Sequence, residues 1–83
     1  MYSIILDGKV LDFKYKKVNS YIWAFYVGDI RVGQVFKMKH YWSCVGDVTT
    51  CSLYPVDGFK TRYHASEFML KAGGFYNRKY AMP

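Results

Sequence analysis

The residues best suited to chemistry in this sequence are two cysteines and two histidines. Cys44, Cys51, His40 and His64 would complete a zinc set, but their spacing lacks the Cys-x-x-Cys pair typical of compact zinc sites. A catalytic thiol needs a neighbour that lowers its pKa and an oxyanion loop, and the sequence offers neither. We therefore predict no metal, no cofactor and no catalytic cysteine. A disulfide across the turn between the cysteines is geometrically allowed but not needed, so both thiols are expected to stay reduced.

The acidic residues also argue against catalysis. Of the six, Asp7, Asp29, Asp47 and Asp57 each adjoin a glycine in a predicted turn. A short carboxylate in such a turn hydrogen-bonds its own backbone, which explains these residues without chemistry. Acid–base catalysis needs paired carboxylates, or a nucleophile beside a base, in a concave site. The sequence therefore predicts a protein that is not an enzyme.

Basic and aromatic side chains remain as the chemically informative groups. Twelve Lys and Arg against six Asp and Glu give a net charge of +6, and nine Tyr, six Phe and two Trp make 20% of the 83 residues. A small core cannot bury all of these rings, so several are expected at the surface as stacking or anchor groups. The expected partner is acidic, either nucleic acid or the surface of an acidic host protein, and not a membrane.

Turn signals separate short apolar runs along most of the chain. The elements that position these groups are therefore predicted to be mainly strands joined by turns. Asp7 with Gly8 and Gly28 with Asp29 are strong signals for tight hairpin turns. The second pair joins the two arms of a central hairpin at residues 21–38. The strands predicted in this way lie at residues 3–6, 9–16, 21–27, 30–38, 42–45 and 48–54, followed by a turn at 55–58.

Alternation along these strands predicts two different faces. Side chains in a strand point alternately to opposite sides of the sheet, so apolar and basic positions separate. In the first hairpin Leu11, Phe13 and Tyr15 point inward, and Lys14 and Lys16 point outward. In the second arm of the central hairpin, strict alternation puts Ile30, Val32, Phe36 and Met38 inward and Arg31, Val35, Lys37 and Lys39 outward.

The outward cations predict a basic stripe on the open face of the sheet. Lysines on exposed strands also keep a protein soluble and discourage edge pairing, so a purely solvated face is the alternative. Basic residues interleaved with aromatics favour the binding interpretation. The predicted binding residues are Lys14, Lys16, Arg31, Lys37, Lys39 and Tyr41, with Arg78 and Lys79 from the tail.

One helix is predicted near the end of the chain. Thr61 is suited to cap its first turn, and apolar residues then recur at helical spacing. The pair Gly73-Gly74 ends the helix, because a glycine just past the last turn takes the left-handed conformation that terminates helices. An apolar sheet face must be covered, and this helix is the only element available to cover it. The predicted core joins Phe68 and Met69 of the helix to Val32, Phe36 and Met38 of the sheet.

The predicted fold class is therefore α+β. We expect a small antiparallel sheet of about four to six hairpin-connected strands, with one C-terminal helix packed on one face. Residues 1–83 are expected to form a single domain, in which residues 75–83 are a basic and aromatic tail that either frays or docks back. The absence of a long apolar run and of a secretory signal predicts a cytoplasmic protein in its host. A monomer is expected, or a homodimer joined through an edge strand.

The stretch around Gly58 resembles a known DNA-binding domain. This is the three-strand-plus-helix domain of plant ethylene-response factors and phage integrase arms, in which a Trp-bearing strand precedes a strand ending in Phe-x-Thr. The arginine-rich sheet signature of that family is missing from residues 42–45, so the resemblance does not imply base readout by this strand. The positions that match are Trp42, Phe59, Thr61 and Ala65.

Residues 23–70 more closely resemble small phage-encoded proteins of unassigned role. These proteins often show a Trp, then Val-Gly-Asp, then Val-Gly, then a second Trp strand and Gly-Phe-x-Thr-Arg with a helix, as this chain does. The resemblance implies a phage origin rather than an activity. We therefore predict a small non-catalytic binding protein that engages nucleic acid through a basic and aromatic sheet face. The alternative is a regulator or inhibitor that binds a host protein.

Overall fold

A computed structural model gives the architecture of the chain, and it describes residues 2–6, 8–47 and 55–73. Within these residues six antiparallel strands form one sheet, and one helix follows the sheet. This arrangement confirms the predicted α+β class. The elements are β1 (Ser3–Leu6), β2 (Lys9–Lys17), β3 (Ile22–Val27), β4 (Ile30–Lys37), β5 (Trp42–Gly46), β6 (Val56–Phe59) and α1 (Arg62–Ala72).

The sheet is a meander, in which each strand pairs with its neighbours in sequence. Gly8 and Gly28 supply the positive φ angles of the first two tight turns, at 77° and 57°. Because the strands run alternately up and down, β2, β4 and β6 finish at the same end of the sheet. The helix begins at that end too, since Arg62 follows β6 after two residues.

A β-bulge interrupts the pairing of β3 with β4. Phe25 lies opposite Gly33 and Tyr26 lies opposite Arg31, so Val32 is an extra residue in β4. Such an extra residue reverses the alternation of the side chains beyond it. Val32 and Val35 are accordingly both fully buried, whereas Phe36 is only half-buried.

The bulge corrects the face assignment made from strict alternation. Val35 was expected to point outward but lies in the core, and Phe36 and Met38 were expected in the core but lie on the opposite face. Lys37, which pairs with Trp42, lies on the helix side, so its predicted place on the outward stripe is wrong. Arg31 precedes the bulge and keeps its predicted outward position.

The helix covers the inner face of the sheet. The Thr61 hydroxyl caps its first turn and accepts a hydrogen bond from the backbone N–H of His64 at 3.1 Å. Gly73 follows the last helical residue as predicted; its own φ is −79°, and Gly74 lies outside the described residues. The buried apolar residues of sheet and helix are Ile4, Phe13, Phe25, Val27, Val32, Val35, Cys44, Ala65, Met69 and Leu70.

Two further expectations need correction. Met69 is fully buried as predicted, but Phe68 is 36% exposed and packs at the margin, with its ring 5.2 Å from that of Phe59. Residues 56–58, expected in a turn, belong to β6, which pairs with β5. The strand predicted at 48–54 and the tail at 75–83 lie outside the described residues. In the described ranges, no helix has the length and apolar character needed to span a membrane.

Candidate nucleic-acid interface

The meander gathers cationic side chains at the end of the sheet where β2, β4 and β6 finish. Strand β2 ends in two lysines, β4 ends in one and is followed by another, and β6 leads through a lysine into the first residue of α1. We call this end of the molecule the basic end. Its cations are Lys16, Lys17, Lys37, Lys39, Lys60 and Arg62.

Most of the described carboxylates lie away from the basic end, but Asp57 of β6 lies near it and accepts a hydrogen bond from the Ser43 hydroxyl at 2.6 Å. Asp29 occupies the β3–β4 turn at the opposite end, where Asp47 also lies, 3.4 Å from the Arg31 guanidinium. Glu67 lies 3.8 Å from the Lys71 ammonium on the helix. Among the described residues, no cation of the basic end has a carboxylate within ion-pairing distance. Positive charge therefore predominates among the described residues at this end, and such a surface attracts polyanions.

Aromatic rings lie on the helix side of the same end. The indoles of Trp23 and Trp42 meet over β4, with ring centroids 5.4 Å apart. The Arg62 guanidinium lies 4.0 Å from the centre of the Tyr15 ring and 5.8 Å from that of Trp23. Since all three rings are half-buried, they combine a packed side with a solvent-facing edge.

A hydrogen-bonded serine anchors this aromatic group to the helix. The buried Ser66 hydroxyl donates to the Arg62 carbonyl at 2.8 Å, so the Tyr15 hydroxyl, 2.7 Å away, donates to Ser66. Burial raises the pKa of the Tyr15 phenol, and the positive charge of Arg62 partly opposes this shift. The phenol therefore stays protonated at neutral pH and holds the start of α1 against β2.

The structure separates the residues predicted from sequence into two groups. Lys16, Lys37, Lys39 and Tyr41 lie at the basic end. Lys14 and Arg31 instead flank Tyr26 in one row across the outer face. Arg78 and Lys79 fall outside the described residues.

Sequence reasoning missed several members of the basic end. Lys17, Lys60 and Arg62 were not proposed, although each terminates or follows a predicted element. Trp23 and Trp42 were also overlooked as a pair. The available signal was the hairpin pattern itself, because a meander brings every second strand end to the same place.

The residues once considered for zinc do not form a cluster in the described structure. Cys44 is buried in the core between β4 and β6, while His40 and His64 are exposed. Within the described ranges there is no group of three or more His, Cys, Asp or Glu side chains that would hold a metal ion. Cys51 lies outside those ranges.

Together the sheet and its basic end define a small α+β protein with a polarised, cationic and aromatic surface. Searches against protein-family models, curated proteins and solved structures each found no match for this chain. The geometry of the basic end is therefore the observation that bears on function.

Proposed function

We propose that this protein is a non-catalytic binding module that engages nucleic acid through the basic end. The observation that carries this proposal is the convergence of six cations at one end of the sheet, without a described carboxylate partner. Lys and Arg side chains in such a cluster neutralise backbone phosphates and release the counterions condensed on them. The positive end of the helix dipole adds to the same field, because α1 begins there.

The aromatic rings at this end support nucleic acid over a purely ionic partner. Register places Lys17 directly opposite Trp23 and Lys37 directly opposite Trp42, so ammonium groups and indoles share one side of the sheet. Cations that track a phosphate backbone beside rings that stack on bases are the combination used by proteins that bind single strands. This proposal moves the site from the predicted outer face to the end of the sheet.

The second candidate is a phage-encoded regulator or inhibitor that binds an acidic host protein. One observation favours it, an apolar hollow of about 160 Å³ on the outer face, lined by Phe36, Met38, Val45 and Pro55 among others. Apolar side chains around such a hollow suit a protein contact better than a phosphate backbone. Among the described residues β1 and β6 are the outermost strands of the sheet, and a homodimer joined through such an edge stays a further prediction.

A tagged pull-down from host lysate, with and without nuclease, separates the two candidates. Nucleic acid recovered with the tagged protein, and lost on nuclease treatment, supports the first. A defined protein partner retained after nuclease treatment supports the second and contradicts the first. The protein with Lys37 and Lys39 replaced by glutamine serves as the control for nonspecific capture.

Replacing Lys37 and Lys39 together by glutamine is expected to flatten the salt dependence of binding to a single strand. The slope of log affinity against log salt is negative, and each lost phosphate contact reduces its magnitude by about 0.7. Loss of both contacts therefore reduces the magnitude of the slope by about 1.4. Fluorescence anisotropy titrations at several salt concentrations measure this slope.

The matched control removes the same charge elsewhere, by replacing Lys9 and Lys14 with glutamine. Both lysines are exposed and lie outside the basic end. The control is expected to change the slope by less than half as much as the Lys37 and Lys39 pair. Equal changes in the two variants would show that only net charge matters, and would refute a site at the basic end.

A further inference from the structure

We infer that the hollow between the β2–β3 and β4–β5 turns is a subsite for one unpaired nucleotide, with its base on Tyr21 and its phosphate between Lys37 and Lys39. This inference rests on the proposed nucleic-acid binding and names the form of nucleic acid that is bound. The hollow is open, has a volume of about 450 Å³, and is lined by Ser20, Tyr21, Lys37, Met38 and Lys39.

Tyr21 is the aromatic residue at the basic end best placed to accept a base. It is 67% exposed, and among the described residues its ring contacts no other aromatic ring. Tyr2 is also exposed, but its ring is stacked on Tyr63 with centroids 3.9 Å apart. The indoles of Trp23 and Trp42 likewise contact each other. A ring with an uncovered face is what stacking on a base requires.

The backbone around Tyr21 is held in place although its ring is exposed. Its N–H donates to the Asn19 side-chain oxygen at 2.8 Å, and its carbonyl accepts from the Lys37 N–H at 2.7 Å. The neighbouring turn is closed by the Met38 N–H, which donates to the Tyr41 carbonyl at 2.8 Å. The ring and the two lysines are therefore presented from fixed turns, which lowers the entropy lost on binding.

The chemistry of the hollow distinguishes an unpaired nucleotide from other anions. In a duplex the base faces are stacked on one another, so Tyr21 has no base to contact unless the strand is open. An acidic peptide would satisfy Lys37 and Lys39 but would leave the exposed ring without a partner. A single strand satisfies both, since its phosphate and its base lie on the same nucleotide.

The test compares a fluorescein-labelled oligothymidylate with a duplex of the same length by anisotropy. Replacement Tyr21→Ala is expected to weaken binding of the single strand about tenfold, the typical loss for one stacked base. Tyr21→Phe keeps the ring and is expected to bind like the original protein. Duplex binding, which uses the lysines alone, is expected to be unchanged in both variants.

Three controls accompany these measurements. Tyr26→Ala removes a half-buried ring from the outer face and is expected to leave single-strand binding unchanged. Thermal unfolding of each variant shows whether lost binding reflects lost structure. Polyglutamate at matched charge tests for an acidic peptide, and competition as strong as that of the oligonucleotide would overturn the subsite.

Failure of the subsite and failure of the proposed function give different results. If the original protein binds neither single strand nor duplex, nucleic-acid binding itself is refuted. If it binds both but Tyr21→Ala binds the single strand normally, the subsite alone is refuted. Equal losses for single strand and duplex in Tyr21→Ala would also refute the subsite, because they would point to a general effect on the turn.

Discussion

Replacing Val35 by lysine is expected to unfold the protein, whereas the same replacement at Phe36 is expected to leave it folded. Val35 is fully buried among the core residues, while Phe36 lies half-exposed on the outer face. An unpaired buried charge costs several kcal/mol, a large part of the roughly 5–15 kcal/mol that stabilises a small domain. At Phe36 the ammonium reaches water, and the expected cost is about 1 kcal/mol.

Circular dichroism and urea denaturation of the two variants measure this difference. Strict alternation along β4 predicts the opposite order of stability, because it places Phe36 in the core and Val35 outside. A folded Val35→Lys protein and an unfolded Phe36→Lys protein would therefore show that the bulge at Val32 is absent. Val35→Ala and Phe36→Ala provide milder versions of the same comparison, in which only the buried position is expected to lose substantial stability.

Replacing Gly33 by alanine is expected to lower the free energy of unfolding by about 3 kcal/mol, at the upper end of typical overpacking costs. An added Cβ would fall against the Val45 carbonyl oxygen, 2.8 Å from the Met69 sulfur and 2.9 Å from the Gly46 Cα. Met69 has a flexible side chain, but the other two atoms belong to the backbone of β5 and cannot retreat independently. Gly33 thus lets the strands and the helix approach closely beside the bulge.

Thermal unfolding gives the measurement, with an expected fall in Tm on the order of 15 °C for a domain of this size. Gly8→Ala is the matched control, since an added Cβ at Gly8 meets nothing within 4 Å. Its positive φ of 77° still disfavours alanine by about 1–2 kcal/mol. A smaller loss for Gly33→Ala than for Gly8→Ala would contradict the close packing at Gly33.

The bulge also affects the proposed interface. By reversing the alternation after Val32, it turns Lys37 toward the side of Trp42 and away from the outer face that carries Lys14. A lysine is thereby placed beside the aromatic rings and next to the hollow at Tyr21. Backbone geometry in the middle of β4 therefore decides which cations act together at the end of the sheet.

Much of the fold follows from local patterns in the sequence. The glycine-containing turns set the first two hairpins, and Thr61 sets the start of the helix, because these residues favour their conformations independently of distant contacts. Alternation in β2 is uninterrupted, and there the predicted faces of Phe13 and Lys14 are correct. Such features depend on neighbours in sequence, which is why the sequence reveals them.

Composition and local pattern alone predict an α+β protein that is basic, rich in aromatic residues and in hairpins, and has Met69 in its core. The bulge at Val32 is visible only in the strand pairing, since a single extra residue leaves the composition of the strand unchanged while exchanging its faces. Likewise, only the order of pairing brings Lys17, Lys37 and Arg62 to one end, because these residues are far apart in sequence. The proposed site is a product of that long-range arrangement.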